Sequence, residues 1–487
     1  MKVLLIGMDG AHREAFNRGW TPFLNELVSG GNELALKEDL ISRGWSEVVT
    51  GEHGLVTGAL YDRADLDGTH GWSLNFKLAD IPGIGEEIKP IWQVLNERGY
   101  KVGVMNVPTA FPAPPVDGFF VSGGGGGGGV NQDASLQQCH PKEILNDLHN
   151  DGYIVDERLG SLLAEKKLYK ASDFFDRLCK KNNKRTDSFI RLAEKFEVDF
   201  GFVVYKSSSN IAEFTLLPAL EQYKLNPESA DMEFIGAVKD YYRNFDNEIK
   251  RLVESFPSAE IILVSDHSMA VRRWLVNANS FLVESGFQIQ PKSKKGLYTL
   301  IKGLKKYIPF SLRQLIRNNK NVKHFYESMA KFDVGSTQAF SITIGDWNHG
   351  IFVNDAVRFG GPVPKEDIKK VAERIVGEFN RHESAARHGL TARVKPSTNS
   401  IAGKYFPDVI IDVPDGYFTS DEASGFITKF HLPDEPIGIK SVTKGSLLCG
   451  KGHHPLAINA NREWQVVASE KGDDLRKVNQ HILKVFE

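Results

Sequence analysis

Four stretches of this sequence carry side chains with chemistry to offer. Asp9 stands in Gly7-Met8-Asp9-Gly10, behind the apolar run Val3-Leu4-Leu5-Ile6. Asp266 and His267 stand in Val264-Ser265-Asp266-His267-Ser268, behind Glu260-Ile261-Ile262-Leu263-Val264. A polar stretch, 206–214, follows Phe200-Gly201-Phe202-Val203-Val204-Tyr205. His453 and His454 sit in Gly450-Lys451-Gly452-His453-His454-Pro455, flanked by glycine. Carboxylates and imidazoles gathered at one sheet edge can form a site for zinc or manganese. Taken singly, each has a plainer reading. An aspartate behind a strand commonly caps a helix, and an Asp-His pair is commonly surface.

The elements that must position these residues follow a simple rhythm. Residues 2–7 are short, apolar and β-branched, and end at glycine, which predicts a buried parallel strand. Thr21 is the expected N-cap of a helix with Pro22 at its first position and Gly30-Gly31 as its stop. An amphipathic helix over 91–98 ends at Gly99, and Lys101–Asn106 reads as the next strand. Phe200–Tyr205 and Glu260–Val264 read as two more buried strands, each behind a helical segment. Strand and helix in alternation predict an α/β fold, a doubly wound and mostly parallel sheet with helices on both faces. In such sheets ligands bind beyond the carboxyl ends of the strands, which is where Asp9, 206–214 and Asp266-His267 fall.

Bulk composition narrows the partners. The chain has 487 residues, enough for one large α/β domain with insertions or for two domains. With 60 basic and 62 acidic residues the net charge is −2, so a polyanion-binding surface and a nucleic-acid partner are not favoured. A small phosphate ester remains open, because a metal ion can supply positive charge locally. The three cysteines, Cys139, Cys179 and Cys449, are far apart and odd in number, which argues against a disulfide framework and fits a reducing compartment. The first apolar run is too short for a signal-peptide core, and no run of 18 apolar residues follows. The expectation is a cytoplasmic chain with no membrane span. The basic stretch near 290–330 reads as a solvated helical insertion rather than a membrane-binding surface. Gly123 to Gly129, seven glycines in a row, reads as a mobile loop rather than a preformed phosphate cradle, because glycine loses the most entropy on ordering.

Motifs in order along the chain resemble those of the type I phosphodiesterase/nucleotide pyrophosphatase family, within the alkaline phosphatase superfamily. Gly7-Met8-Asp9-Gly10 is similar to the family's first metal-binding aspartate motif, and Thr21-Pro22-Phe23-Leu24 to the helix behind it. Thr50-Gly51 with His53-Gly54 resembles the stretch after the family's nucleophile. Trp92 to Gly123, with Asn106-Val107-Pro108-Thr109 inside it, resembles a recurring block. Ser265-Asp266-His267 looks like the family's Ser-Asp-His-Gly with Ser268 in place of glycine, and Asn279 to Phe287 resembles the segment after it. Phe332 to Asn354 and Pro407-Asp408-Val409-Ile410 resemble two later blocks.

The resemblance implies an alkaline-phosphatase-like core with an inserted cap, and a two-metal site. Asp9, Asp266 and His267 would hold one divalent metal, zinc or else manganese, beside a Ser or Thr nucleophile. The other metal would take an Asp-x-x-x-His pair and a late histidine, which His453 matches best, with His454 one residue away. Two such ions can clamp the attacking and leaving oxygens of an in-line displacement.

The sequence departs from this pattern twice. The Asp-x-x-x-His positions hold Asn210 and Phe214, so Asn210 is left as a neutral, weak oxygen donor and a substrate contact, and Glu213, next to Phe214, reads as facing solvent rather than replacing the histidine as a ligand. The nucleophile position counts to Ile41, with Ser42 one residue later as the candidate and Arg43 placed to fork onto a phosphoryl group.

The leading expectation is a metal-dependent hydrolase that cleaves a phosphodiester or pyrophosphate bond of a small phosphorylated substrate through a phosphoserine at Ser42. A non-catalytic member that binds a phosphorylated ligand or a partner is the alternative, followed by a phosphotransferase or mutase. The expected division is a core over 1–275, a cap over 276–400 and the rest of the core over 401–487. The oligomeric state is left open.

Overall fold

Five short apolar stretches, each with every residue buried, lie side by side and parallel at the centre of the computed structural model: Val3–Met8 (β1), Val102–Met105 (β3), Gly118–Val121 (β4), Phe200–Tyr205 (β6) and Glu260–Val264 (β7). The structure describes residues 1–487 except 17–18, 74, 125–133, 157–169, 207–215, 291–331, 343–348, 421–424, 440, 442–447 and 467–472. Among the described residues the sheet has eight strands, completed at its edges by Asn32–Glu33 (β2), Cys139–His140 (β5) and Ala457–Asn459 (β10), in the order β2-β10-β7-β1-β6-β3-β4-β5. The three edge pairings are antiparallel, and the interior ones are parallel.

Strand periodicity assigns the two faces. Val3, Leu5, Val102, Val104, Phe200, Phe202, Ile262 and Val264 share one core with the helices Gly44–Thr50 (α2), Ile91–Glu97 (α3) and Arg476–Val485 (α6). On the opposite face Phe119 meets Phe189 of Ala171–Phe196 (α4), and Tyr205 meets Phe245 of Met232–Ser255 (α5). This is the doubly wound, mostly parallel α/β sheet that the sequence rhythm predicts.

The helix Pro22–Gly30 (α1) starts where proline places it, but its cap differs from the expected one. The Thr21 hydroxyl donates back to the Phe16 carbonyl, so it offers no bond to the helix. The Asp246 carboxylate of α5 accepts from Phe23 N and Leu24 N instead, at 3.1 and 2.7 Å. A charged acceptor on a neighbouring helix is stronger than a neutral hydroxyl at the helix start, and it also ties α1 to α5.

The chain forms two units. Unit one, described above, comprises Met1–Ala59, Asn75–Arg272 and His431–Glu487. Unit two comprises Leu60–Leu74 and Arg273–Phe430, so the expected cap 276–400 lies within it. In unit two, the strands Ala339–Ser341, Gly350–Val353, Val409–Asp412 and Thr391–Val394 pair antiparallel in that order. The helix Ile368–Arg381 contributes Val371, Ile375 and Phe379 to the same core.

The two late sequence blocks hold unit two together. Asp408 is buried, accepts from Val353 N at 2.8 Å, and pairs with Arg358 at 2.6 Å and Lys395 at 2.9 Å. Replacing Asp408 by alanine leaves the Arg358 guanidinium without that carboxylate in the interior. Asp408→Ala is expected to destabilise unit two by about 3–5 kcal/mol, the cost of breaking a buried ion pair from one side. Urea unfolding followed by fluorescence checks this.

Candidate active site

Strand register brings the first two carboxylates together. β1 and β7 pair in parallel with Gly7 opposite Val264. Two residues further on, each chain has left its strand, and Asp9 and Asp266 emerge side by side. Gly10 N donates to Asp266 Oδ1 at 3.3 Å, which ties the two loops directly. Oxygens of Asp9 and Asp266 and a ring nitrogen of His267 lie within 4.8 Å of one another, all three residues buried.

Two glycines permit this arrangement. A Cβ on Gly7 would stand 2.7 Å from the Trp45 ring. The bare backbone there lets the indole lie against β1, and Trp45 Nε1 donates to Asp9 Oδ2 at 3.0 Å. A Cβ on Gly44 would stand 2.3 Å from the Asp266 carbonyl oxygen, so α2 begins in contact with the Asp266 loop. The role of Trp45 as an indole donor needs a tertiary contact that no motif states.

The donor set suits a divalent cation. His267 Nδ1 lies 2.7 Å from the Ser268 carbonyl, so Nδ1 carries the proton and Nε2 presents its lone pair. That Nε2 faces Asp266 Oδ2 at 3.5 Å and Asp9 Oδ1 at 3.8 Å. Two carboxylates and one imidazole match the mixed oxygen and nitrogen sets that hold zinc or manganese. The Lys451 ammonium also reaches His267 Nε2, from the strand Cys449–Gly452 (β9). Sequence reasoning passed over Lys451. The signal was its parity with His453, two residues on along a strand.

Each of the other described candidates has its own partners. β9 pairs antiparallel with Ser268–Val271 (β8), Gly452 opposite Ser268, so His453 follows opposite His267. His453 Nδ1 meets the Glu38 carbonyl at 2.7 Å, and His454 Nδ1 meets that of Leu36 at 3.2 Å. Ser42 is buried, two residues before Gly44, and its Oγ accepts from Gly54 N at 2.8 Å. Ile41, the residue the count first reaches, is buried as well. Asp39 accepts from the backbone of Ile41 and Ser42 and pairs with His53 Nε2 at 3.2 Å, which fixes the loop. The Arg43 guanidinium lies 5.4 Å from the centre of the Phe76 ring. Asn210, Glu213 and Phe214 lie outside the described residues, as do the basic stretch 291–331 and the glycine run from Gly125 onward. Gly123 is described: a Cβ there would stand 2.5 Å from the carbonyls of Asn106 and Val107.

The model of the type I phosphodiesterase/nucleotide pyrophosphatase family matches residues 3–426 of this chain. The chain belongs to that family. It is accordingly a hydrolase of the phosphodiesterase/pyrophosphatase kind, and it acts on a phosphoester. Its fold is similar to two crystal structures of phosphonoacetate hydrolase from Sinorhizobium meliloti 1021. The complex with phosphonoformate has a TM-score of 0.51 at 11% identity, and that with phosphonoacetate 0.50 at 10%; both cover 100% of this chain and 96% of the other. Human ectonucleotide pyrophosphatase / phosphodiesterase 5 is more distant in fold, with a TM-score of 0.43 at 12% identity over 100% of this chain and 95% of its own. These likenesses concern the fold alone, which is alkaline-phosphatase-like. No curated protein sequence matches this one.

Beside the loop of Ser42 this family member carries a buried acidic group. Burial raises the Glu38 carboxyl to about 8, with Asp474 and Asp39 adding repulsion. Burial also raises Glu47, with Glu38 the next cause. The pair titrates together, because two neighbouring carboxylates cannot both ionise cheaply in the interior.

Two predictions follow from this geometry. Trp45→Phe keeps a ring against Gly7 but removes the donor to Asp9. It is expected to weaken metal binding by about 10–100-fold, measured by calorimetric titration with Mn²⁺. Glu38 binds its proton more tightly folded than unfolded, so its contribution to stability is complete below about 4.5 and is lost as pH climbs towards about 8. Glu38→Gln is expected to flatten that decline, with the variant melting higher than wild type at pH 8.5 and little different at pH 4.5.

Proposed function

We propose that this chain hydrolyses a phosphodiester or pyrophosphate bond of a small phosphorylated substrate, with Ser42 as the nucleophile. A divalent ion, zinc first and manganese second, would be held by Asp9, Asp266 and His267. The observation that carries this reading is the convergence of those three buried side chains within 4.8 Å at the carboxyl ends of adjacent parallel strands. When bound, such an ion supplies positive charge to the phosphoryl oxygens and makes a nearby hydroxyl more acidic.

The protein's own groups do the rest. Gly54 N holds the Ser42 oxygen at 2.8 Å and would favour its alkoxide. Ser42 Oγ attacks phosphorus, the ester bond to the leaving oxygen breaks, and water later cleaves the phosphoserine. Arg43, one residue on, would pair with phosphoryl oxygens as a fork of two donors. With Nδ1 on the Glu38 carbonyl, His453 would offer Nε2 to the site. Asn210 would contact the substrate as a neutral group. We further propose a cytoplasmic setting. Cys139, Cys179 and Cys449 are all free thiols, and among the described residues no helix is long and apolar enough to cross a membrane.

Metal content and hydrolysis of a chromogenic phosphodiester test the proposal together. Wild type is expected to hold metal and turn over, and Asp266→Asn to lose both. Ser42→Ala is expected to keep the metal and lose activity by about a thousandfold or more, the scale of removing a nucleophile. Undiminished turnover in Ser42→Ala would exclude the phosphoserine. Metal without turnover of the diester would overturn the proposed bond specificity and point to another phosphoester.

A further inference from the structure

We infer that Lys451 is the second cation of this site, standing in for the second metal ion of the family's pattern. The inference rests on the proposed metal-dependent reading and assigns the charge that reading leaves missing. Lys451 is nine-tenths buried on β9, opposite Met269 in the ladder with β8. Its ammonium reaches His267 Nε2, the same atom that faces Asp9 and Asp266 at 3.8 and 3.5 Å. A buried lysine is costly unless its charge is answered, and Asp9 and Asp266 are the buried carboxylates grouped around that same nitrogen.

A second lysine is placed differently. Lys206 follows β6, whose Tyr205 pairs with Met8, so it emerges beside Asp9. Its ammonium is drawn away to Asp156 at 3.2 Å, and Lys181 faces the same carboxylate at 3.5 Å. Lys451, by contrast, reaches the proposed metal site directly, through His267.

The formal charges agree. A two-metal site with three carboxylates and two divalent ions is one unit positive. By the family resemblance, the sequence positions of the third carboxylate and its partner histidine hold Asn210 and Phe214. Two carboxylates and one divalent ion cancel, and Lys451 restores the single positive unit. That suits a phosphodiester, which carries one negative charge. A lysine also differs from an ion in being tethered, so it cannot be chelated away. It competes with the entering metal for the lone pair of His267 and repels it.

The test uses the full chain and three variants, Lys451→Met, Lys451→Gln and Asp266→Asn, with Mn²⁺ and inorganic phosphate as separate probes. Removing the ammonium is expected to tighten Mn²⁺ binding by about tenfold or more and to enlarge the rise in melting temperature that Mn²⁺ produces. Stoichiometry should stay at one ion per chain. Phosphate should bind the Mn²⁺-loaded variants more weakly than wild type by a similar factor, and KM for a diester should rise. Wild-type or weaker Mn²⁺ affinity in both lysine variants would overturn the inference, as would two ions per wild-type chain. Unchanged metal binding in Asp266→Asn would instead bring down the metal-dependent reading beneath it.

Discussion

Two carboxylates held side by side in the interior are the constraint around which this protein is built. Parallel pairing of β1 with β7, Gly7 opposite Val264, makes Asp9 and Asp266 leave the sheet together. Both are buried, and like charges in a low-dielectric setting repel strongly. The fold gives them an indole donor from Trp45 and a backbone donor from Gly10, and sets beside them the His267 imidazole, with its Nδ1 on a carbonyl and the Lys451 ammonium on its Nε2. Each of these arrives on a different segment, so the site closes only when the strands, α2 and β9 are all in place.

Close approach makes that assembly possible. Gly7 lets the Trp45 ring lie on β1, and Gly44 lets α2 begin against the Asp266 carbonyl. An added methyl at either position would collide with a ring or a backbone oxygen, and packed interiors absorb such volume poorly. The loop of Ser42 is pinned by Asp39, which holds the backbone of Ile41 and Ser42 and the ring of His53 at once. Rigid support of this kind suits the proposed role of the Ser42 hydroxyl, which needs a fixed direction of approach.

A second, separate principle organises unit two. Its four-stranded sheet is antiparallel and built from neighbouring segments, and a buried Asp408–Arg358 pair with the Val353 N–H fastens its strands. The sequence blocks around Phe332–Asn354 and Pro407–Ile410 are therefore explained by charge burial inside this unit.

The sequence by itself determined the sheet and the identity of its metal-ligand candidates. Apolar runs of five or six residues read as strands without context, because burial on both faces leaves no room for alternation. Phe200–Tyr205 and Glu260–Val264 were legible to the residue, and the motifs named Asp9, Asp266 and His267. What only the tertiary structure decided was which of these meet, and what else meets them. The cap of α1 comes from Asp246, more than 200 residues away, rather than from Thr21. Lys451 reads in the sequence as one lysine among many, since its meaning depends on the register of β9 against β8. Register is set by long-range pairing and close packing, and a single chain read residue by residue carries no local signal for either.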